Sequence, residues 1–137
     1  MKVLSAQKTI LLIDESNRLS TYCNSINTRY DKEVFNFGDT ATFKDFLAAQ
    51  TDTSFPLILL HTDTDLKLLK AIKTHKDYEQ TPIVLFLSDR LSHLALEAYD
   101  LGANAVVIAP TENRQLQNAI EHTMAFWAGI NLTTALH

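Results

Sequence analysis

The sequence predicts an α/β protein built on a doubly wound, parallel sheet with helices on both faces. Three observations lead there. Five short apolar runs alternate along the chain with five segments of helical period. The first, third and fourth runs are apolar throughout, which is how strands buried on both faces of a parallel sheet read. Glycine and proline occur only three times each, so no linker or low-complexity stretch divides the 137 residues, the size of one ordinary domain.

In chain order, the strands are expected at Thr9–Ile13, Val34–Phe37, Leu57–Leu60, Ile83–Leu87 and Ala105–Ile108. The first helix should bury Leu19, Tyr22, Cys23 and Ile26, which follow an i, i+3, i+4, i+7 spacing. The fourth should bury Leu91, Leu94, Ala95, Ala98 and Leu101, with Leu91 near its start. The fifth should bury Leu116, Ala119, Ile120, Thr123 and Trp127. Ser16, Asp39, Ser92 and Thr111 can each cap a helix near its beginning. Gly102 follows Leu101, where a helix end wants a left-handed residue. Such βα repeats close into right-handed crossovers. They use the whole chain, so one domain over residues 1–137 with a short tail after Ala128 is expected.

Composition narrows the function. A 46% hydrophobic and 20% charged chain reads as a soluble globular protein, and a net charge of -4 disfavours nucleic acid or an anionic membrane as the main partner. Cys23 is the single cysteine. With no intrachain disulfide possible and no apolar leader in Met1–Lys8, a reducing, cytoplasmic setting is expected. No run of about 20 apolar residues could span a bilayer. Asn131-Leu132-Thr133 matches a glycosylation acceptor by letters only.

In a doubly wound sheet the chemistry sits beyond the carboxyl ends of the strands. There the chain offers Asp14 and Glu15 after strand one, and His61, Thr62 and Asp63 after strand three. Leu87, Ser88 and Asp89 follow strand four, and Ala109 and Pro110 follow strand five.

Four pieces, in this order and spacing, resemble the receiver domain of two-component response regulators. They are Leu11-Leu12-Ile13-Asp14-Glu15, Thr81-Pro82-Ile83-Val84-Leu85, Tyr99-Asp100-Leu101-Gly102-Ala103-Asn104 and the Pro110 after strand five. The match runs over residues 8–128, and the tail Phe126–Leu132 is most similar to single-domain receivers associated with phytochromes. The resemblance implies a flavodoxin-like fold with strand order 2-1-3-4-5, a role in phosphorelay signalling by protein–protein contact, and no catalysis. It also implies an output surface on the fourth helix, fifth strand and fifth helix, a kinase or second regulator as partner, and a homodimer as one assembly.

The departures concern the pocket. Asp14 and Glu15 keep the family's magnesium-binding acidic pair. The phosphoryl-accepting aspartate is His61, the lysine before the proline is Ala109, and the aromatic switch position is Val106. Counting back from Gly102 puts the family's Ser/Thr at Leu87, with Ser88 one residue late. The connection after strand three lacks the family's Met-Pro and Gly turn and is about four residues short. The family also holds a cis peptide at the position of Ala109-Pro110, which is expected here. Aspartyl phosphorylation needs a carboxylate nucleophile, a divalent cation and a cation on the new phosphoryl group, so a degenerate, phosphorylation-independent pseudo-receiver without cofactor is expected.

Other readings stand beside it. His61 with Glu15 and Asp14 is a donor set for zinc or manganese, or for a small acid–base enzyme; the plainer reading is a histidine hydrogen-bonded to one of the carboxylates. No Gly-rich phosphate loop or Gly-x-Ser-x-Gly elbow supports an enzyme. Asp63 or Asp65 could be a displaced acceptor, or an acid at the start of the third helix. Lys67, Lys70, Lys73 and Lys76 form either a docking stripe or a solvated face.

Overall fold

The computed structural model describes residues 6–23 and 32–129. The expected roles of Ile26, Ile130 and Leu132 lie outside them. Five strands, β1 (Thr9–Ile13), β2 (Glu33–Phe37), β3 (Leu57–Thr62), β4 (Ile83–Ser88) and β5 (Ala105–Ala109), form one parallel sheet in the order β2-β1-β3-β4-β5. The helices are α1 (Arg18–Cys23), α2 (Thr40–Ala49), α3 (Lys67–Lys73), α4 (Ala95–Asp100) and α5 (Asn113–Met124), the last running into a π-helical turn, Ala125–Gly129. This is the expected fold.

The residue pattern explains the layers. β1 is buried along its whole length, and β3 and β4 until their carboxyl ends. The edge strands β2 and β5 are largely half-buried or exposed. Alternate side chains point to opposite faces. Ile13, Ile58, Leu60, Leu85 and Leu87 meet Phe43 and Leu47 of α2, Leu69 and Ile72 of α3 and Ala98 of α4. Ile10, Leu12, Leu57, Leu59, Val84 and Phe86 meet Leu19 and Cys23 of α1 and Leu116, Ile120 and Met124 of α5. Trp127 extends that second stripe while Phe126 stays 57% exposed, as their angular offset required. Burial and the nearby Asp14 charge push the Cys23 thiol up to about 12.

Several caps differ from expectation. Asp39 caps α2 through Thr42 N (2.7 Å), and Ser16 Oγ accepts from Arg18 N (3.2 Å), as anticipated. Glu112, rather than Thr111, caps α5 by accepting from Arg114 N and Gln115 N. Ser92 caps nothing, because the expected start of the fourth helix is a 3₁₀ helix, Asp89–Leu94, and α4 begins at Ala95. Leu91 and Leu94 sit three apart, a spacing that a 3₁₀ helix also stacks on one side. Gly102 adopts φ 110° at the end of α4.

The peptide between Ala109 and Pro110 is trans, since the described residues contain no cis bond, and the expected cis bond is withdrawn. Trans is the ordinary state of X–Pro bonds. Here the Pro110 carbonyl accepts from Arg18 Nη2 at 3.0 Å.

Candidate functional site

The β1–α1 turn places its acid by local geometry. Asn17 holds φ 61°, tolerable for asparagine, and its N–H reaches back to the Asp14 carbonyl. The turn folds over the Asp14 carboxylate, which is fully buried. Asp14 Oδ1 accepts from Ser16 N (3.1 Å) and Ser16 Oγ (2.5 Å), and Oδ2 accepts from Leu19 N (2.6 Å). The fourth partner comes from β3: His61 Nδ1 lies 3.3 Å from Asp14 Oδ1, its side chain only 6% exposed. Burial alone would raise the Asp14 pKa, but hydrogen bonds from His61, Ser16 and the Leu19 N–H outweigh it and hold the group at about 2. The carboxylate is therefore ionised at neutral pH. It favours the His61 tautomer with the proton on Nδ1.

Glu15 is not part of this pair. It is exposed, and its Oε1 accepts from Thr40 Oγ1 at the start of α2 (3.3 Å). His61 thus holds one of the two acids; it does not fix both.

Strand register decides between Leu87 and Ser88. His61 pairs with Phe86 and Ser88 with Ala109. Two-residue alternation puts His61, Phe86, Ser88 and Ala109 on one face. Leu87 turns the other way, into the core with Leu60 and Leu85. Ser88, not Leu87, shares the face of His61, so Leu87 is not on the site's side of the strand and the expectation of Leu87 is corrected. The six residues after β4 form a 3₁₀ helix, Asp89–Leu94, before α4 begins.

Ala109 is buried and offers no cation. Val106 is half-buried against the α2–α4 side, and its N–H donates to Tyr99 Oη (3.1 Å). Four residues join β3 to α3. Thr62 closes that short connection: its Oγ1 accepts from Thr64 N and Asp65 N and donates to the Asp65 carbonyl. Asp65 then accepts from Lys67 N at the start of α3. Asp63 is exposed; its carbonyl accepts from Arg90 Nη2. Thr62 to Asp65 border a cleft of about 430 Å³ together with Glu15, Thr40, His61, Lys44 and Lys67; Asp14, Ser88, Val106 and Ala109 do not line it. The α3 lysines are not one free stripe, because Lys73 Nζ donates to the Glu79 and Thr81 carbonyls (3.2 and 2.9 Å).

No protein-family model and no curated protein sequence matches the chain. Solved structures do. Response regulator Rcp1 in its Mn(2+)-bound form is 21% identical, with TM-score 0.78 over 88% of this chain and 94% of that one. The phosphorylated cyanobacterial phytochrome response regulator RcpA is 20% identical, with TM-score 0.76 over 89% and 94%. A bacteriophytochrome response regulator, RtBRR, is 25% identical, with TM-score 0.62 over 83% and 76%.

The chain has the fold of a response-regulator receiver domain.

A receiver fold implies a divalent cation at the acids after β1, and these residues do not fit one. Both Asp14 oxygens are taken by protein donors, Glu15 turns to Thr40, and an imidazole stands at the third position. Among the described residues no group of three or more His, Cys, Asp or Glu side chains could hold a metal ion. The receiver pocket keeps its backbone frame and one buried acid, which is committed to its own fold. Sequence reading missed Arg18 and Arg90, whose reach to loop carbonyls has no local pattern.

Proposed function

We propose that this chain is an atypical response-regulator receiver of the cytoplasm that works without phosphorylation, by binding another protein of a signalling pathway. The single observation that carries the reading is the His61–Asp14 contact at 3.3 Å. It fills the acceptor position with a group that cannot become an acyl phosphate. It also occupies the acid that would hold the cation. Buried Ala109 removes the remaining cation from the phosphoryl site. No catalysis is assigned.

The exposed side chains of α4 and β5 support an output surface there. Leu96 is 79%, Tyr99 48% and Ile108 37% exposed, an apolar set suited to a kinase, a second regulator or a second copy of the chain. The net charge of -4 argues against nucleic acid, and among the described residues no helix is long and apolar enough to cross a membrane.

Incubation with acetyl phosphate and magnesium, followed by intact-mass measurement, tests the reading. The expected mass is unchanged. A gain of one phosphoryl group that disappears in Asp63→Asn would instead establish a shifted acceptor.

A further inference from the structure

The connections at the carboxyl edge are tied to one another by side chains. Thr40 Oγ1 on Glu15 joins the start of α2 to the β1–α1 turn. His61 on Asp14 joins β3 to that turn. Arg90 on the Asp63 carbonyl joins the β4–α4 segment to the β3–α3 connection. Arg18 Nη2 donates to the Pro110 and Thr111 carbonyls (3.0 and 3.2 Å), joining the turn to the β5–α5 connection. All five connections are thereby linked.

Part of this set forms an unbroken path. His61 Nδ1 meets Asp14 Oδ1, which accepts from Ser16 Oγ, which accepts from Arg18 N. The Arg18 guanidinium then reaches across 92 residues of sequence to the Pro110 carbonyl. That carbonyl belongs to the residue after Ala109, so a permanent cation from α1 stands beside the connection whose own side chain offers none. Guanidinium stays charged at any physiological pH, and its partners are carbonyls that do not titrate.

We propose that these ties form a fixed clasp, with Arg18 as the positioning residue that closes it. The clasp would hold the carboxyl edge, and the α4–β5–α5 surface built on it, in a single arrangement with no chemical input. It rests on the reading of the chain as a phosphorylation-independent receiver and supplies that reading's mechanism. Receiver-type switching needs two discrete arrangements of such loops, and each tie here costs any second arrangement a hydrogen bond.

Relaxation-dispersion NMR on the full chain tests it. Wild-type amides of Glu15–Asn17, Asp63–Asp65, Asp89–Arg90 and Thr111–Asn113 are expected to show no microsecond-to-millisecond exchange. Arg18→Met keeps an apolar stem and removes the donors; exchange is expected to appear at both Glu15–Asn17 and Thr111–Asn113, with protection in β1, β3 and β4 unchanged. Ser16→Ala, which cuts the middle of the path at an exposed residue, is expected to release the same two connections. Exchange at these amides in the wild type overturns the clasp, as does a quiet edge in both variants or a uniform loss of protection through the core. Phosphoryl uptake by the wild type would overturn the functional reading independently of these spectra.

Discussion

His61 and Asp14 meet inside the protein, Nδ1 to Oδ1 at 3.3 Å, with the carboxylate fully buried. The pair ties folding free energy to pH through the acid. The Asp14 pKa falls from 3.8 to about 2, so the unfolded chain binds the proton more readily than the folded one between those values. Stability therefore rises with pH across that window. The contribution is complete above the ordinary carboxylate range and is lost as pH falls through about 2. At about 1.4 kcal/mol per pKa unit it amounts to roughly 2 kcal/mol. Urea unfolding at a series of pH values is expected to show this slope in the wild type and a flatter one in Asp14→Asn.

Restoring the family's acceptor should not restore its chemistry. His61→Asp sets a second carboxylate beside a buried one, which disfavours ionisation of the pair. A loss of about 1–3 kcal/mol is expected. With Ala109 unchanged, acetyl phosphate should add no phosphoryl group to this variant by intact mass. His61→Asp with Ala109→Lys supplies nucleophile and lysine, but Ser16, Leu19 and Thr40 still occupy the acids that would hold magnesium, so no mass gain is expected from this pair either.

Gly102 resists substitution for two reasons that act together. Its φ of 110° is one that L side chains rarely adopt, and an added Cβ would sit 3.0 Å from Lys73 Cγ and 3.1 Å from Cδ. The lysine cannot easily retreat, because its Nζ is held by the Glu79 and Thr81 carbonyls. Gly102→Ala is expected to cost about 1–3 kcal/mol, read as a lower midpoint in thermal unfolding.

Tyr78 is fully buried and donates its hydroxyl to the Leu47 carbonyl at 2.9 Å, pinning the end of α2 to the segment before β4. Tyr78→Phe leaves that carbonyl without its donor and should cost about 1–3 kcal/mol. Burial, then the Asp77 charge, pushes the phenol up to about 12. In an ultraviolet titration of the folded chain, the absorbance of phenolate that Tyr78→Phe removes is expected only near that pH.

How far the chain could be read from its letters follows from where each force acts. β1, β3 and β4 were legible because burial on both faces leaves only apolar letters. α5 was legible because Leu116, Ile120 and Thr123 keep a helical period. The start of α4 was not, since Leu91 and Leu94 fit a 3₁₀ turn as well as an α-helix. Counting back from Gly102 at the family's spacing selected Leu87, whereas strand pairing puts Ser88 on the His61 face. The acid–histidine contact was foreseeable from two strand ends at one edge. The Arg18 and Arg90 ties were not, because a long flexible cation finds its carbonyl only once the loops are in place. The trans bond before Pro110 marks where inheritance from relatives misled.

Cys23 gives the molecule a built-in clock. Its thiol, at the end of α1, lies fully buried in the core shared with α5, and burial with the neighbouring Asp14 charge keeps it protonated to about pH 12. A thiol reagent reacts with thiolate, and only where it can reach the sulfur. Labelling of this single cysteine should therefore report the population of the open core, and its opening rate once the reagent outpaces reclosing.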